Sequence, residues 1–297
     1  MSYTSRYNDG IFKYLCCLKK KSSLKPHTFE ETTKLINNPG HDYNCNEDDI
    51  LNRGKFSEVY SCYRNSNRKK VAIKKIDLES KPNKLHNNVF GEVIILKMLQ
   101  HPNINNYLDH FTINNCLYIV QELCSGGDLF DYIETHTVSE LETKSIIKHI
   151  CLAVQYCHRK NIVHRDIKPE NIMFATPKHR PKDIRLIDFG LSKIINRPES
   201  NMKSMIGTMY YMSPEIIKCH YTKKCDIWSI GVIMYSILFD NMPFGCNSDI
   251  LQHNYIKSPV GNIISQDAIC LINKIFVDEK ERLSIDDILR DNWLSTV

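Results

Sequence analysis

From about Tyr43 onward the chain carries two hydrophobic periods in turn, whereas residues 1–40 keep neither. Side chains that alternate apolar and polar mark strands, and apolar residues three or four apart mark helices. A strand signal begins near Tyr43 and turns back on itself as a hairpin through Ile50, Leu51, Asn52, Arg53, Gly54, Ser57 and Val59. Val71 and Ile73 then alternate with Ala72 and Lys74, so one face is apolar and the other carries a small residue and an amine. A slip of one residue would turn Lys74 to the opposite face. Helical spacing follows at about 87–99, with Glu92 ahead of Leu96 and Leu99. Residues 117–120 read as a buried strand that stops at Gln121, and Asp128 begins a helix whose first amides an acid can satisfy. A helix is predicted over about 140–160 and a buried strand over 184–187. The longest apolar run, 227–239, is too short to cross a bilayer and reads as a helix at the centre of the larger half.

Composition narrows this further. With 42% hydrophobic residues, 297 residues can bury a large core, enough for one large domain or two lobes sharing a cleft. Twelve cysteines fall in no zinc-type spacing and lie scattered through apolar runs, which predicts reduced thiols in an intracellular compartment. The net charge of +5 is local: Arg6, Lys13, Lys19, Lys20, Lys21 and Lys25 stand against Asp9, and residues 26–297 are neutral. A neutral folded part lacks the basic face that nucleic acid requires, so no nucleic-acid partner is expected. In the tail, residues 11–21 join Ile11, Phe12, Tyr14, Leu15 and Leu18 to Cys16, Cys17 and the lysine cluster. Two readings stand: a solvated leader, or a peripheral membrane contact in which lysines attract anionic lipid and acylated cysteines add a second anchor. Ser2 in place of glycine excludes N-myristoylation by the usual rule.

The chemistry concentrates in His164-Arg165-Asp166-Ile167-Lys168-Pro169-Glu170-Asn171. A carboxylate, an ammonium and an amide fall within a few residues on a loop stiffened by Pro169, close enough to converge on one small volume. Seventeen residues beyond Asn171, the strand at 184–187 delivers Asp188-Phe189-Gly190. Two acids and an amide oxygen suit a hard cation that keeps much of its water, as Mg²⁺ does.

These stretches resemble the catalytic loop HRDxKxxN and the metal-binding DFG of the protein kinases at every fixed position. Ser125-Gly126-Gly127-Asp128-Leu129-Phe130, Phe56-Ser57 and Lys168-Pro169-Glu170-Asn171-Ile172 resemble the calcium/calmodulin-dependent-kinase-like group. The resemblance implies an α+β, bilobal fold: a basic flexible tail (1–42), a β-rich N-lobe with one long helix (43–121), a hinge (122–127) and a helical C-lobe (128–294). It implies a cytoplasmic enzyme that uses ATP and Mg²⁺ to phosphorylate serine or threonine in protein substrates. The alternative is a pseudokinase scaffold that binds nucleotide or protein, to which the departures at Asn52, Ser57 and Gln121 point.

By this resemblance Asp166 orients the substrate hydroxyl and accepts its proton, Lys168 meets the γ-phosphate, Thr208 bonds both, and Asn171 and Asp188 hold metal ions. Lys74, ending a strand similar to VAIK, pairs the phosphates with Glu92 behind it. The nucleotide lies against Leu51, Asn52, Gly54, Ser57, Val59, Ala72, Lys74, Gln121, Asp128 and Met173, with backbone groups of Glu122 and Cys124 at the adenine edge. Only Gly54 and Val59 keep the GxGxxGxV pattern; at the Asn52 place, asparagine tolerates positive φ better than most residues. Gln121 takes the gatekeeper place, more often apolar, where a buried amide needs a partner. Arg165 implies control by phosphate on the segment ending at Glu215, with Ser204 the candidate and Arg165 and Lys193 its partners. Asp226 should hold the catalytic-loop backbone, Glu215 should pair with Arg282, and Asp128 with Glu170 should favour basic residues N-terminal to the acceptor. Residues 244–265 are short and polar for their part of the large lobe, so no docking site is carried there. No Asp-x-Asp-x-Asp-Gly loop occurs, so calcium control would act through another molecule.

Overall fold

The alternating segments build a five-stranded antiparallel sheet in the order β1-β2-β3-β5-β4, from β1 (Tyr43–Arg53), β2 (Ser57–Arg64), β3 (Lys70–Asp77), β4 (Tyr107–Ile113) and β5 (Cys116–Glu122). This computed structural model describes residues 42–54, 57–79, 83–196, 201–256 and 264–295, with the backbone alone for Glu47 and 83–89. The tail, and with it the segment 11–21, lies outside the described residues. The sheet curls until its two edges meet: Tyr43 of β1 stacks on Phe111 of β4 at 6.1 Å. The curl encloses Cys62, Val71, Ile73 and Val120, none more than 2% exposed. Ala72 and Lys74 consequently occupy the other face, as the alternation requires.

The expectation of reduced cysteines fails for one pair. The β1–β2 register sets Cys45 directly opposite Cys62 with Cα atoms 4.4 Å apart, and the two form a disulfide inside the curled sheet. An irregularity in β1 between Cys45 and Ile50 fixes that register, and spacing along the sequence does not reveal it.

Helix α1 (Asn83–Met98) crosses between β3 and β4 and starts about one turn earlier than its hydrophobic period suggests. It buries Val93 and Leu96 against Ile76, Leu117 and Ile119 of the sheet's cleft-side face. The chain leaving α1 is tied to the other lobe: Asn105 N–H donates to Leu186 O (3.0 Å), Leu186 N–H to Asn103 O (2.9 Å), and Asn103 Nδ2 to Ile184 O (3.1 Å). These bonds grip β8 (Ile184–Leu186) two residues before Asp188.

The second lobe opens with α2 (Leu129–Thr135) and α3 (Glu140–Arg159), each started by a side-chain cap, Asp128 on Asp131 N–H and Ser139 on Glu142 N–H. Short strands β6 (Ile162–Val163) and β7 (Ile172–Phe174) flank the catalytic loop; β7 pairs with β8, and β6 with β9 (Lys193–Ile194). Then follow α4 (Pro214–Ile217), α5 (Cys225–Phe239), α6 (Asn247–Leu251), α7 (Gln266–Ile275), α8 (Ile285–Arg290) and α9 (Asn292–Ser295). Helix α5 is buried on every side from Cys225 to Tyr235, the position expected of the longest apolar run. Helices buried all round belong to the core of a large domain, and among the described residues no helix is long and apolar enough to cross a membrane.

Candidate active site

Helix α5 delivers one acid to the loop beneath the sheet. The buried Asp226 carboxylate accepts the backbone N–H of His164 (2.9 Å) and of Arg165 (2.8 Å), and a bond from His158 Nε2 (2.9 Å). Burial works to raise its pKa, but these hydrogen bonds outweigh burial and hold the carboxyl below its usual range. The start of the loop backbone is thereby fixed to a helix that cannot move without disturbing the core. Arg165 and Asp188 take left-handed φ angles of +68° and +57°, a conformation non-glycine residues seldom adopt. The loop and the strand end are held in these shapes by such contacts, including His164 Nε2 to Ile187 O (3.1 Å) and the His164 ring against Phe189.

One cluster forms on the loop itself. Thr208 Oγ1 donates to Asp166 Oδ1 (2.8 Å) and accepts from Lys168 Nζ (2.8 Å), while Lys168 Nζ lies 3.2 Å from Asp166 Oδ2. Asn171 Nδ2 donates to Asp166 O (2.8 Å) and Oδ2 (3.0 Å), which leaves its Oδ1 as an acceptor for a cation. Gly207, just before Thr208, has φ +116°, and a Cβ there would stand 2.7 Å from Arg165 O. Only glycine permits that approach.

The second cluster joins the lobes. Lys74 Nζ donates to Glu92 Oε1 (2.8 Å) and Oε2 (3.0 Å) and to Asp188 Oδ1 (2.7 Å). Burial pulls the Lys74 pKa down, but the two carboxylates outweigh it and hold the ammonium above its usual range. The Lys74 charge in turn keeps the Asp188 carboxyl well below the ordinary carboxylate range. An acid that stays ionised and an amide oxygen are hard donors of the kind Mg²⁺ takes, and Ile187 N–H donating to Asn171 O (2.9 Å) sets Asp188 and Asn171 on adjoining backbone, so the two fit that ion.

On the sheet, register aligns Asn52, Val59 and Lys74 as direct neighbours across β1, β2 and β3. Asn52 lies within β1 and does not take a positive φ, so the tolerance of asparagine for that conformation goes unused. Gly54 N–H donates to Ser57 O (2.7 Å), closing the turn from below. Leu51 is exposed, whereas Ala72 and Met173 are half-buried, and Met173 pairs with Asp128 through an isolated bridge. At the hinge, Glu122 N–H donates to Asn106 O (3.1 Å) and Glu122 O accepts Asn105 Nδ2 (3.0 Å). The backbone N–H of Cys124 has no protein partner among the described residues, and burial pushes the Cys124 thiol up to about 11.

These distances set the Lys74–Glu92–Asp188 cluster and the Asp166–Thr208–Lys168–Asn171 cluster on neighbouring backbone, where Ile187 N–H donates to Asn171 O (2.9 Å). The protein kinase domain model matches residues 45–294. The chain belongs to the protein kinase domain family. It is similar to calcium-dependent protein kinase 5 of Plasmodium berghei, 41% identical over 82% of this chain and 44% of that protein. Its counterpart in Plasmodium falciparum is 38% identical over the same shares. Calcium-dependent protein kinase 4 of Plasmodium berghei is 36% identical over 92% of this chain and 53% of that protein. The chain thus spans about half the length of the relatives it matches.

Within this kinase domain the bonds above gather Lys74, Glu92 and Asp188 in one cluster and Asp166, Lys168, Asn171 and Thr208 in another. The buried Glu215 pairs with both guanidinium nitrogens of Arg282, which also lies over the Trp228 ring at 4.9 Å. Arg165 Nη1 reaches Ser204 Oγ (3.3 Å), but no hydrogen bond or ion pair joins Lys193 to Ser204 among the described residues. Tyr221 stands beside both Arg165 and Ser204. Its hydroxyl lies 3.3 Å from both Arg165 Nη1 and Ser204 Oγ, and two backbone bonds tie it to Met202. Sequence reading missed Tyr221 and Asn105 because each acts through single atoms brought close by the fold, with no periodic or motif signal of its own.

Proposed function

We propose that this chain transfers the γ-phosphoryl group of ATP to serine or threonine hydroxyls of protein substrates. The observation that carries the reading is a pair of hydrogen-bonded clusters, Lys74–Glu92–Asp188 and Asp166–Thr208–Lys168–Asn171, whose backbones meet where Ile187 N–H donates to Asn171 O (2.9 Å). Asp166 stands where a substrate hydroxyl would give up its proton, with one oxygen steered by Thr208 and the other by Asn171 and Lys168. Lys168 supplies positive charge beside that carboxylate, where it would offset charge developing on the transferred group. Lys74, fixed by Glu92, orients phosphates, and a metal ion held by Asp188 and Asn171 would neutralise their charge. A pseudokinase has no chemical reason to keep both of these hydrogen-bonded clusters intact. Incubation with γ-labelled ATP and a basic peptide should place label on serine or threonine. Label on tyrosine alone, or ATP binding without transfer, contradicts the proposal.

Substrate preference and control follow from neighbouring residues. Burial raises the pKa of Glu170, and the charges of Asp128 and Asp166 add to that rise, so the three acids share one field. Such a field attracts arginine or lysine N-terminal to the acceptor residue. We further propose that Ser204, exposed beside Arg165, accepts phosphate, with Tyr221 rather than Lys193 as the second donor. Ser204→Ala should lower the activity of phosphorylated enzyme, and Tyr221→Phe should weaken that dependence; unmodified Ser204 in fully active enzyme contradicts this. The relatives are named calcium-dependent, and residues 1–297 hold no loop of the Asp-x-Asp-x-Asp-Gly type. A cytoplasmic enzyme that touches membranes through residues 11–21 is the reading of the tail, and failure of the full chain to sediment with phosphatidylserine vesicles removes the membrane part.

A further inference from the structure

Gln121 ends the cleft-facing row of β5. Register sets it directly opposite Ala72, as it sets Ile119 opposite Lys74, so its side chain shares the face that carries the Lys74 ammonium. The residue is 91% buried by its 9% exposure, and among the described residues its Nε2 is buried without a hydrogen-bond partner. Nearby groups do not answer it: Ala72 has no polar side chain, and the Tyr107 hydroxyl on the neighbouring strand is engaged with His110 Nδ1 at 2.8 Å. A buried amide N–H left in this way is disfavoured unless a ligand supplies the acceptor.

We propose that Gln121 reads the N6/N7 edge of adenine, an inference that rests on the nucleotide cleft proposed above. A carboxamide offers a donor and an acceptor side by side, and adenine offers the complementary acceptor N7 and donor N6. Nε2 donates to N7 while Oε1 accepts one hydrogen of the 6-amino group. The other polar atoms of the base meet the hinge, where the Cys124 N–H lacks a protein partner among the described residues and Glu122 O has a lone pair beyond the one Asn105 uses. Guanine presents acceptors at both positions of that edge, N7 and O6, so only one can be satisfied. An apolar residue in place of Gln121 would discriminate by shape alone. Gln121 is therefore a specificity-determining contact as well as part of the wall.

The test is a comparison of magnesium complexes of ATP, 7-deaza-ATP and GTP by calorimetric binding to the full chain, with transfer rates measured alongside. Wild type should bind ATP about three- to tenfold more tightly than 7-deaza-ATP. Gln121→Leu should bind ATP and 7-deaza-ATP alike and lose about tenfold of the preference for ATP over GTP. Gln121→Glu, which keeps the size and an acceptor but lacks the donor, should lose the N7 effect and keep the preference against GTP. Equal binding of ATP and 7-deaza-ATP by wild type, or a ratio unchanged in both variants, overturns the inference. Tight ATP binding with the predicted ratios but no phosphoryl transfer supports it and counts against the kinase reading instead.

Discussion

Two carboxylates in one cleft are driven in opposite directions by their surroundings. Lys74 holds the Asp188 pKa far down, whereas burial and the neighbouring acids raise that of Glu170. With its folded value depressed, Asp188 contributes stability above the ordinary carboxylate range and loses it only as pH falls through that depressed value. Glu170 behaves in the other sense: its raised value means the charge disappears earlier on acidification, and its ionisation opposes folding as pH rises. Preference for an arginine-containing peptide over its alanine analogue should therefore shrink as pH falls from about 7 toward about 5, the side toward which a raised carboxylate titrates. In Glu170→Gln the preference should be weak and flat across that range. A wild-type ratio that does not change with pH contradicts the assignment of Glu170. Individual charged residues were legible wherever a motif or a strand period fixed their direction, as for Lys74 and Asp166. Tyr221, which carries no motif signal, was not legible, although its hydroxyl lies 3.3 Å from Ser204 Oγ.

Among the elements, the β1–β2 hairpin shows most clearly where sequence reading ends. Alternation located both strands and the face of Lys74, and the run at 227–239 located α5, because burial on one or all sides leaves a period or a continuous apolar stretch. The early start of α1 left no such trace, since residues 83–86, Asn-Lys-Leu-His, carry no helical hydrophobic spacing. The irregularity in β1 left none either, and the disulfide between Cys45 and Cys62 depends on it. Closing a loop between residues 17 apart limits the unfolded chain, by about 3 kcal/mol in the chain-entropy description. Reductant should lower the urea midpoint of the wild-type chain toward that of a Cys45→Ser, Cys62→Ser double variant and leave the variant unmoved. Identical midpoints for wild type with and without reductant, alongside free-thiol labelling of both cysteines, contradict a bonded pair.

In the whole molecule, the catalytic groups come from both lobes, and three connections set their distances. Asn103 and Asn105 pin the exit of α1 to β8, Lys74 spans from β3 to Asp188, and Asp226 anchors the catalytic loop to α5. The bilobal plan was legible because the motifs occur in the order and spacing that a family of this fold requires. The hinge wiring was not, because the Asn105 bond to Glu122 O has no counterpart in any periodic pattern. Asp166 is the group on which the Thr208–Lys168 pair and Asn171 converge. The most direct test is therefore the rate of transfer from γ-labelled ATP to a basic serine peptide by Asp166→Asn, with ATP affinity and unfolding temperature measured on the same preparation. Turnover should fall by about two to four powers of ten while nucleotide binding and folding stay near wild type. Turnover within a few-fold of wild type would contradict the central claim that Asp166 receives the proton of the substrate hydroxyl.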